Sequence, residues 1–181
     1  GKPYPRVSAI VPAHNEGEYI QSTIESLLED TYPNKEIVVV DDGSTDDTYL
    51  KALQYASSPN VKVVRRDVAS GSKAKAIGYG MLFAGGDIVI VVDGDTIVER
   101  GSIKELVKPL IEDMRVVGVA GNVRVLNREN LLTRLQAYEY MVSMELGRRW
   151  QGIVGGILVI PGAFGAFRRE VLESLGRMHA D

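Results

Sequence analysis

Apolar residues fall along this chain in short runs, each followed by a polar loop and then by a stretch of helical period. Val7 to Val11 predicts a short strand ended by Pro12. Asn15 stands as a helix N-cap, with Glu16 and Glu18 in a first turn where the helix dipole favours acids. Ile20, Ile24, Leu27 and Leu28 mark the apolar face of that helix. After the turn Tyr32-Pro33-Asn34, Ile37 to Val40 reads as a second buried strand closed by Asp41-Asp42-Gly43-Ser44. Ser44 or Thr45 is placed to cap a helix carrying Leu50 and Leu53. Ser57 to Asn60 is a loop, Val61 to Val64 a third strand, and Lys73 to Phe83 a helix despite its glycines. Ile88 to Val92 is an unbroken β-branched run, as suits a strand covered on both faces, and a helix follows over Ser102–Glu112.

Strand and helix thus alternate four times, which predicts an α/β fold: a mostly parallel, Rossmann-like central sheet flanked by helices, with right-handed crossovers. In such sheets ligands bind beyond the carboxyl ends of the strands. The polar loops fall at those ends: His14 to Glu16, Asp41 to Ser44, and Asp93 to Asp95. One polar loop would make a turn, whereas three on one edge make a site.

The second half changes character. Val116 to Val125 alternates loosely around Gly118 and Gly121, as a strand near the site would. Leu131 to Trp150 predicts a long amphipathic helix with Leu135, Tyr138, Val142 and Leu146 on one face. Gly152 to Pro161 reads as loop-strand-loop, and Arg168-Arg169-Glu170 opens a last helix through Leu175. The chain stops at Asp181 with no terminating signal, which looks like a cut.

Composition narrows the classes. The 181 residues suit one domain, and a formal net charge of −3 gives no sign of a nucleic-acid partner. With no cysteine and only His14 and His179 as histidines, disulfides, thiolate sites and histidine-rich metal sites are set aside. The apolar run Ile157 to Ile160 is too short to span a bilayer, so the chain reads as soluble although a larger parent need not be.

The chemistry centres on Asp93-Gly94-Asp95. If the strand continued, its rise would put the two carboxylates on one side, about 6.6 Å apart. Gly94 has no side chain, so a ligand would be able to approach the backbone there. Paired carboxylates repel unless a cation or donor-rich ligand lies between them. A hard divalent ion that also grips phosphate oxygens fits, as do two acids that merely cap the next turn.

Three motifs in order carry a resemblance. Val11-Pro12-Ala13-His14-Asn15-Glu16, then Val38-Val39-Val40-Asp41-Asp42-Gly43-Ser44-Thr45-Asp46, then Val91-Val92-Asp93-Gly94-Asp95 are similar to those of the family-two, GT-A-fold glycosyltransferases. Gly71-Ser72-Lys73-Ala74-Lys75-Ala76, Gly121 to Arg124, Asn127-Arg128, Ala137 to Tyr140, Pro161-Gly162 and Phe167-Arg168-Arg169 resemble the polymerising branch. That branch contains the cellulose, chitin, hyaluronan and poly-N-acetylglucosamine synthases. The resemblance covers nearly the whole chain. It implies one GT-A domain, residues 1–115 being the nucleotide-sugar half and 116–181 the start of the acceptor half.

The resemblance also implies roles. Pro12, Ala13, His14 and Glu16 would wrap base and ribose. Asp41, or its neighbour Asp42, would accept hydrogen bonds from uracil. Lys73 would neutralise diphosphate. Asp93, Gly94 and Asp95 would lie at the donor, Asp93 near the ribose or the metal and Asp95 on the metal, Mn²⁺ or Mg²⁺. The reaction implied is inverting transfer from a UDP-sugar to a carbohydrate acceptor in polysaccharide synthesis. The parent would be held at the cytoplasmic face of the cell membrane by segments outside this chain. The family's general base, an Asp in a Glu-Asp pair after Phe-Arg-Arg, has no counterpart before Asp181, so no catalytic residue is assigned and this piece is expected to be inactive alone. Arg149-Trp150 is a decoy for the branch's Gln-x-x-Arg-Trp motif, since Leu146 holds the Gln position. Gly78 replaces an Asn usual in the branch. Tyr138, Tyr140 and Trp150 would line an acceptor groove or pack the long helix.

Two rivals remain at this point. A nucleotide-sugar-binding module without catalysis would share every motif. A haloacid-dehalogenase-like phosphatase also places DxD after a strand, but needs a small polar residue where Ile97 stands.

Overall fold

The computed structural model describes residues 4–127 and 163–178. The sequence-predicted helix at 131–150, the loop-strand-loop at 152–161 and the three aromatic residues on them lie outside the described residues.

Eight strands and five helices are described: β1 (Val7–Ala13), α1 (Ile20–Glu29), β2 (Lys35–Asp42), α2 (Thr48–Leu53), β3 (Val61–Arg66), α3 (Lys73–Met81), β4 (Ile88–Val92), β5 (Thr96–Ile97), α4 (Ser102–Glu112), β6 (Gly118–Ala120), β7 (Arg124–Val125), β8 (Phe164–Arg168) and α5 (Arg169–Met178). Six of the strands form one sheet in the order β3-β2-β1-β4-β8-β6. β1 to β4 run parallel, as the alternation of strand and helix predicts. The order reverses between β1 and β4, the topological switch where ligands of open α/β sheets bind.

The β-branched runs form the sheet because both of its faces are covered. Ile10, Val38, Val40, Val89 and Val91 face one apolar cluster with Ile77 of α3, while Val11, Ile37, Val39, Ile90 and Val92 face the other, with α1 and α4. Ile20, Ile24 and Leu27 of α1 are fully buried, as their spacing predicts, whereas Leu50 and Leu53 of α2 are exposed.

Several local expectations are corrected. β8 lies antiparallel between β4 and β6 and is missing from the sequence reading, which has Arg168 opening the last helix; Arg168 ends the strand and the helix begins at Arg169. Val116 to Val125 is not one strand: β6 joins the main sheet, while β7 pairs with β5 in a separate two-stranded ribbon. Asn15 caps no helix, since α1 begins only at Ile20. Ser44 and Thr45 do not cap α2, whose N-cap position is Asp47.

Arg168 and Arg169 point to opposite helices. Arg168 donates to the Leu110, Asp113 and Val116 carbonyls at and beyond the end of α4. Arg169 donates to the Met81, Ala84 and Gly86 carbonyls at and beyond the end of α3. Each guanidinium thereby satisfies carbonyls that a helix terminus leaves open and complements its negative end. A cavity of about 560 Å³ opens beside them, at the amino-terminal edge of β4, lined by Ile88, Leu110, Ile111 and Met114 among others. It contains none of the sequence-predicted site residues.

Candidate functional site

The three predicted loops meet at the carboxyl edge of the sheet and are tied to one another. Pro12 and Ala13 end β1, and the following loop is stapled to the loop after β2. The Asn15 N–H donates to Ser44 Oγ at 2.9 Å, and Asn15 Oδ1 accepts from the Thr45 and Asp46 amides at 2.8 and 3.3 Å. These bonds hold Asn15 at φ +52°, a left-handed conformation that Asn tolerates better than most residues. The Glu16 and Gly17 amides donate to Thr48 Oγ1 and Asp46 Oδ2. His14 is exposed, and its Nδ1 donates to the Asp42 carbonyl at 2.9 Å.

Asp41 and Asp42 end β2 in register with Arg65 and Arg66 of β3. Asp41 is fully buried; Oδ1 accepts from the Ser44 amide, and Arg65 Nε lies 3.5 Å from Oδ2. Asp42 is nearly buried, and both its oxygens accept from Ser70. Each acid has an arginine beside it, Arg66 Nε lying 3.8 Å from Asp42 Oδ1; they differ in that Asp42 also holds the loop after β3, while Asp41 accepts from the Ser44 amide. The Arg65 and Arg66 guanidiniums also lie over the Tyr49 and Tyr79 rings. A guanidinium over a ring face is favoured by the ring quadrupole.

That loop leads into Lys73. The Ser72 amide donates to Ser70 Oγ, and Ser72 caps α3 by accepting from the Lys75 amide. This puts Lys73 at the first position of the helix, half-buried, with Nζ 2.7 Å from Asp93 Oδ1.

Asp93 and Asp95 are on a turn rather than on a continued strand. β4 ends at Val92, the Asp93 amide donates to the Ala163 carbonyl, and the Thr96 amide returns to the Asp93 carbonyl at 3.1 Å. The extended spacing expected for the two carboxylates does not apply. Asp95 is fully buried, and its carbonyl accepts from Leu126 at the end of the β5–β7 ribbon. Gly94 is also closely packed: a Cβ there would stand 3.1 Å from Glu16 Cγ and 3.3 Å from Ala13 Cβ. The missing side chain lets the DxD turn close onto the β1 loop.

Every predicted site residue is thus at this one edge. The sequence reading missed Arg65, Arg66 and Ser70, and it quoted Ser72 within a motif without its capping role. Ser72 had a legible signal, a serine just before a helical run. The arginines became legible only when β2 and β3 were aligned at their ends, setting Asp-Asp beside Arg-Arg. Among the described residues no group of three or more His, Cys, Asp or Glu side chains is placed to hold a metal. The carboxylates of the turn are Asp93 and Asp95, a pair whose chemistry would suit an ion that takes one or two carboxylates and completes its shell with phosphates and water.

The model of glycosyl transferase family 2 matches residues 8–176. The chain belongs to this family. It is 32% identical over 180 residues to the hyaluronan synthase of Streptococcus pyogenes, covering 95% of this chain and 43% of the relative. It is 29% identical over 175 residues to the poly-beta-1,6-N-acetyl-D-glucosamine synthase of Staphylococcus epidermidis, covering 97% and 42%. The chain therefore spans less than half the length of these curated relatives. Among solved structures, the mannosyltransferase PcManGT of Pyrobaculum calidifontis, in complex with GDP-Man and Mn²⁺, superposes with a TM-score of 0.70 at 28% identity, covering 97% of this chain and 48% of that one. Glucosyl-3-phosphoglycerate synthase of Mycobacterium tuberculosis, with Mn²⁺ and UDP-glucose, superposes at 0.61 with 27% identity, covering 92% and 57%. The GT-A fold expected from the motifs is the one observed. Family membership sets aside the phosphatase alternative.

Proposed function

We propose that this chain is the donor-binding part of an inverting glycosyltransferase that moves a sugar from a UDP-sugar to a carbohydrate hydroxyl in polysaccharide synthesis. One observation carries the reading: Asp41 at the end of β2, Lys73 at the start of α3, and Asp93 and Asp95 on the turn after β4 arrive from three different segments at the carboxyl edge of the sheet. That arrangement suits a nucleoside diphosphate, which needs an acceptor for a base N–H, a cation for phosphate and oxygens for a metal.

In this reading Asp41 accepts from the uracil edge, with the Arg65 guanidinium beside it. Asp42 acts through the loop it holds and not on the base. The β1 loop, with His14 and Glu16, forms the wall over base and ribose. Lys73 supplies positive charge to the diphosphate from the first turn of α3, where the helix N-terminus adds its own. Asp93 and Asp95 would hold Mn²⁺ or Mg²⁺. When bound, such an ion offsets the charge that builds on the departing nucleoside diphosphate. The hyaluronan and poly-N-acetylglucosamine synthases suggest a hexosamine-containing polymer as the product class. The crystallised Mn²⁺–nucleotide-sugar complexes support the metal.

The test is calorimetric titration of UDP into the chain with and without Mn²⁺, using wild type and Asp95→Ala. Metal-dependent binding that disappears in the variant is expected. Equal binding with and without metal would take Asp95 out of its metal role, and absence of UDP binding in both conditions would overturn the reading.

A further inference from the structure

The ion pair between Lys73 and Asp93 joins the group read as the phosphate ligand to one of the groups read as metal ligands. Nζ lies 2.7 Å from Oδ1, the separation of a charge-assisted hydrogen bond. The backbone of Lys73 is fixed by the Ser72 cap and by the hold of Asp42 on Ser70. Its side chain keeps 34% exposure while that of Asp93 keeps 13%. A four-carbon stem on a fixed backbone lets the ammonium change partner without moving the helix.

We infer that Lys73 is the exchangeable counter-ion of Asp93, and that its exchange couples metal binding to nucleotide binding. This rests on the donor-site reading above. With no donor bound, the ammonium neutralises Asp93 and takes the lone pair a divalent ion would use, so the ion meets both competition and repulsion. A diphosphate offers the ammonium anionic oxygens of its own. Drawn to them, Lys73 gives up Asp93 to the metal, and the same diphosphate completes the metal's shell. Metal and nucleotide then strengthen each other, and the coupling is the same from either side. Lys75, exposed on the next part of α3, has no such contact with Asp93 among the described ion pairs.

The experiment measures Mn²⁺ binding to the chain through the electron paramagnetic resonance signal of free Mn²⁺, with and without saturating UDP. Wild type is compared with Lys73→Met, Lys73→Arg and Lys75→Met. Without UDP, Lys73→Met is expected to bind Mn²⁺ about tenfold more tightly than wild type, as removal of an adjacent positive charge predicts. UDP should then tighten Mn²⁺ binding by about tenfold less than it does in wild type, because the exchange has been removed. Lys73→Arg, which keeps a cation, should retain most of the coupling. Lys75→Met should change both values by less than about twofold, its charge being screened by solvent. If UDP and Mn²⁺ bind but Lys73→Met leaves nucleotide-free Mn²⁺ affinity unchanged or weaker, the exchange is wrong and the donor site stands. An equal gain from Lys75→Met would reduce the effect to general electrostatics and overturn the exchange as well. If wild type binds neither ligand, the donor-site reading fails and the exchange fails with it.

Discussion

Asp42 and Ser70 are joined by two hydrogen bonds, from the Ser70 amide to Oδ1 at 3.0 Å and from its hydroxyl to Oδ2 at 2.7 Å. Both oxygens of the second acid in Asp-Asp-Gly-Ser are thereby used on a loop that ends in Lys73. The two acids of the motif have different partners: Asp42 grips the loop before α3, while Asp41 is buried against the Ser44 amide and Arg65. Ser70→Ala deletes a hydrogen bond to a nearly buried carboxylate, so a loss of about 1–2 kcal/mol is expected in urea unfolding. UDP binding should weaken along with it, because the loop carrying Lys73 loosens. Unchanged stability together with unchanged UDP affinity would mean that Asp42 does not hold this loop.

Glu36 gives the fold an acid limit. It is buried on β2, where Ser8 Oγ and the Gly85 amide each donate to Oε2 at 2.7 Å and Lys62 Nζ lies 3.1 Å from Oε1. Burial alone would raise its pKa, but the bonds from Gly85, Ser8 and Lys62 outweigh burial and bring it from 4.5 to about 2. A carboxyl depressed in the folded state stabilises the protein above its unfolded pKa. That contribution, about 3 kcal/mol at most, is lost as pH falls through the window from about 4.5 to about 2. Unfolding free energies measured across that window should fall in wild type and fall less steeply in Glu36→Gln. Equal slopes would remove Glu36 as the cause.

Much of the fold was legible because β2 and β4 carry runs of β-branched residues buried on both faces, and the alternation of strand and helix around them predicts a parallel sheet. β8 was not legible. Phe164-Gly-Ala-Phe-Arg168 has small residues where a strand usually shows branched ones, and it becomes a strand because β4 and β6 pair on either side of it. Asn15 and Ser44 were misread for a related reason. Both have side chains that commonly cap helices, but their partners are each other's loops, about thirty positions apart, and local pattern carries no trace of that. The site residues were legible as types in order along the chain. Which of the two acids in Asp41-Asp42 grips the loop before α3 was not, since it depends on where Ser70 arrives after β3.

Arg169 ties the last described helix to α3. Its guanidinium donates to the Ala84, Gly86 and Met81 carbonyls and to Glu173 Oε1. Arg169→Met keeps much of the aliphatic stem but abandons these carbonyls, and a loss of about 2–3 kcal/mol is expected in chemical denaturation. Arg169→Lys should recover only part of it, since an ammonium cannot reproduce the fork. Amide exchange should quicken at the end of α3. A lysine variant as stable as wild type would show that charge at the helix end, not the geometry of the fork, supplies the effect.

Gly43 and Gly71 separate two costs that usually arrive together. Both have a left-handed backbone, φ +67° and +69°, so alanine at either position pays about 1–2 kcal/mol for conformation alone. They differ in surroundings. A Cβ on Gly71 meets nothing within 4 Å, whereas one on Gly43 would stand 2.3 Å from the Ala69 amide nitrogen. That neighbour is backbone and cannot rotate aside, so the segment leading to Ser70 must move. Gly71→Ala should therefore be mildly destabilised, with UDP binding close to wild type. Gly43→Ala should be destabilised by more than the conformational cost and should lose UDP affinity, because the displaced segment is the one Asp42 grips. Thermal unfolding and UDP titration on the two variants provide the comparison. Equal behaviour would mean that the contact between the Asp-Asp-Gly-Ser turn and the loop before α3 does not position the site.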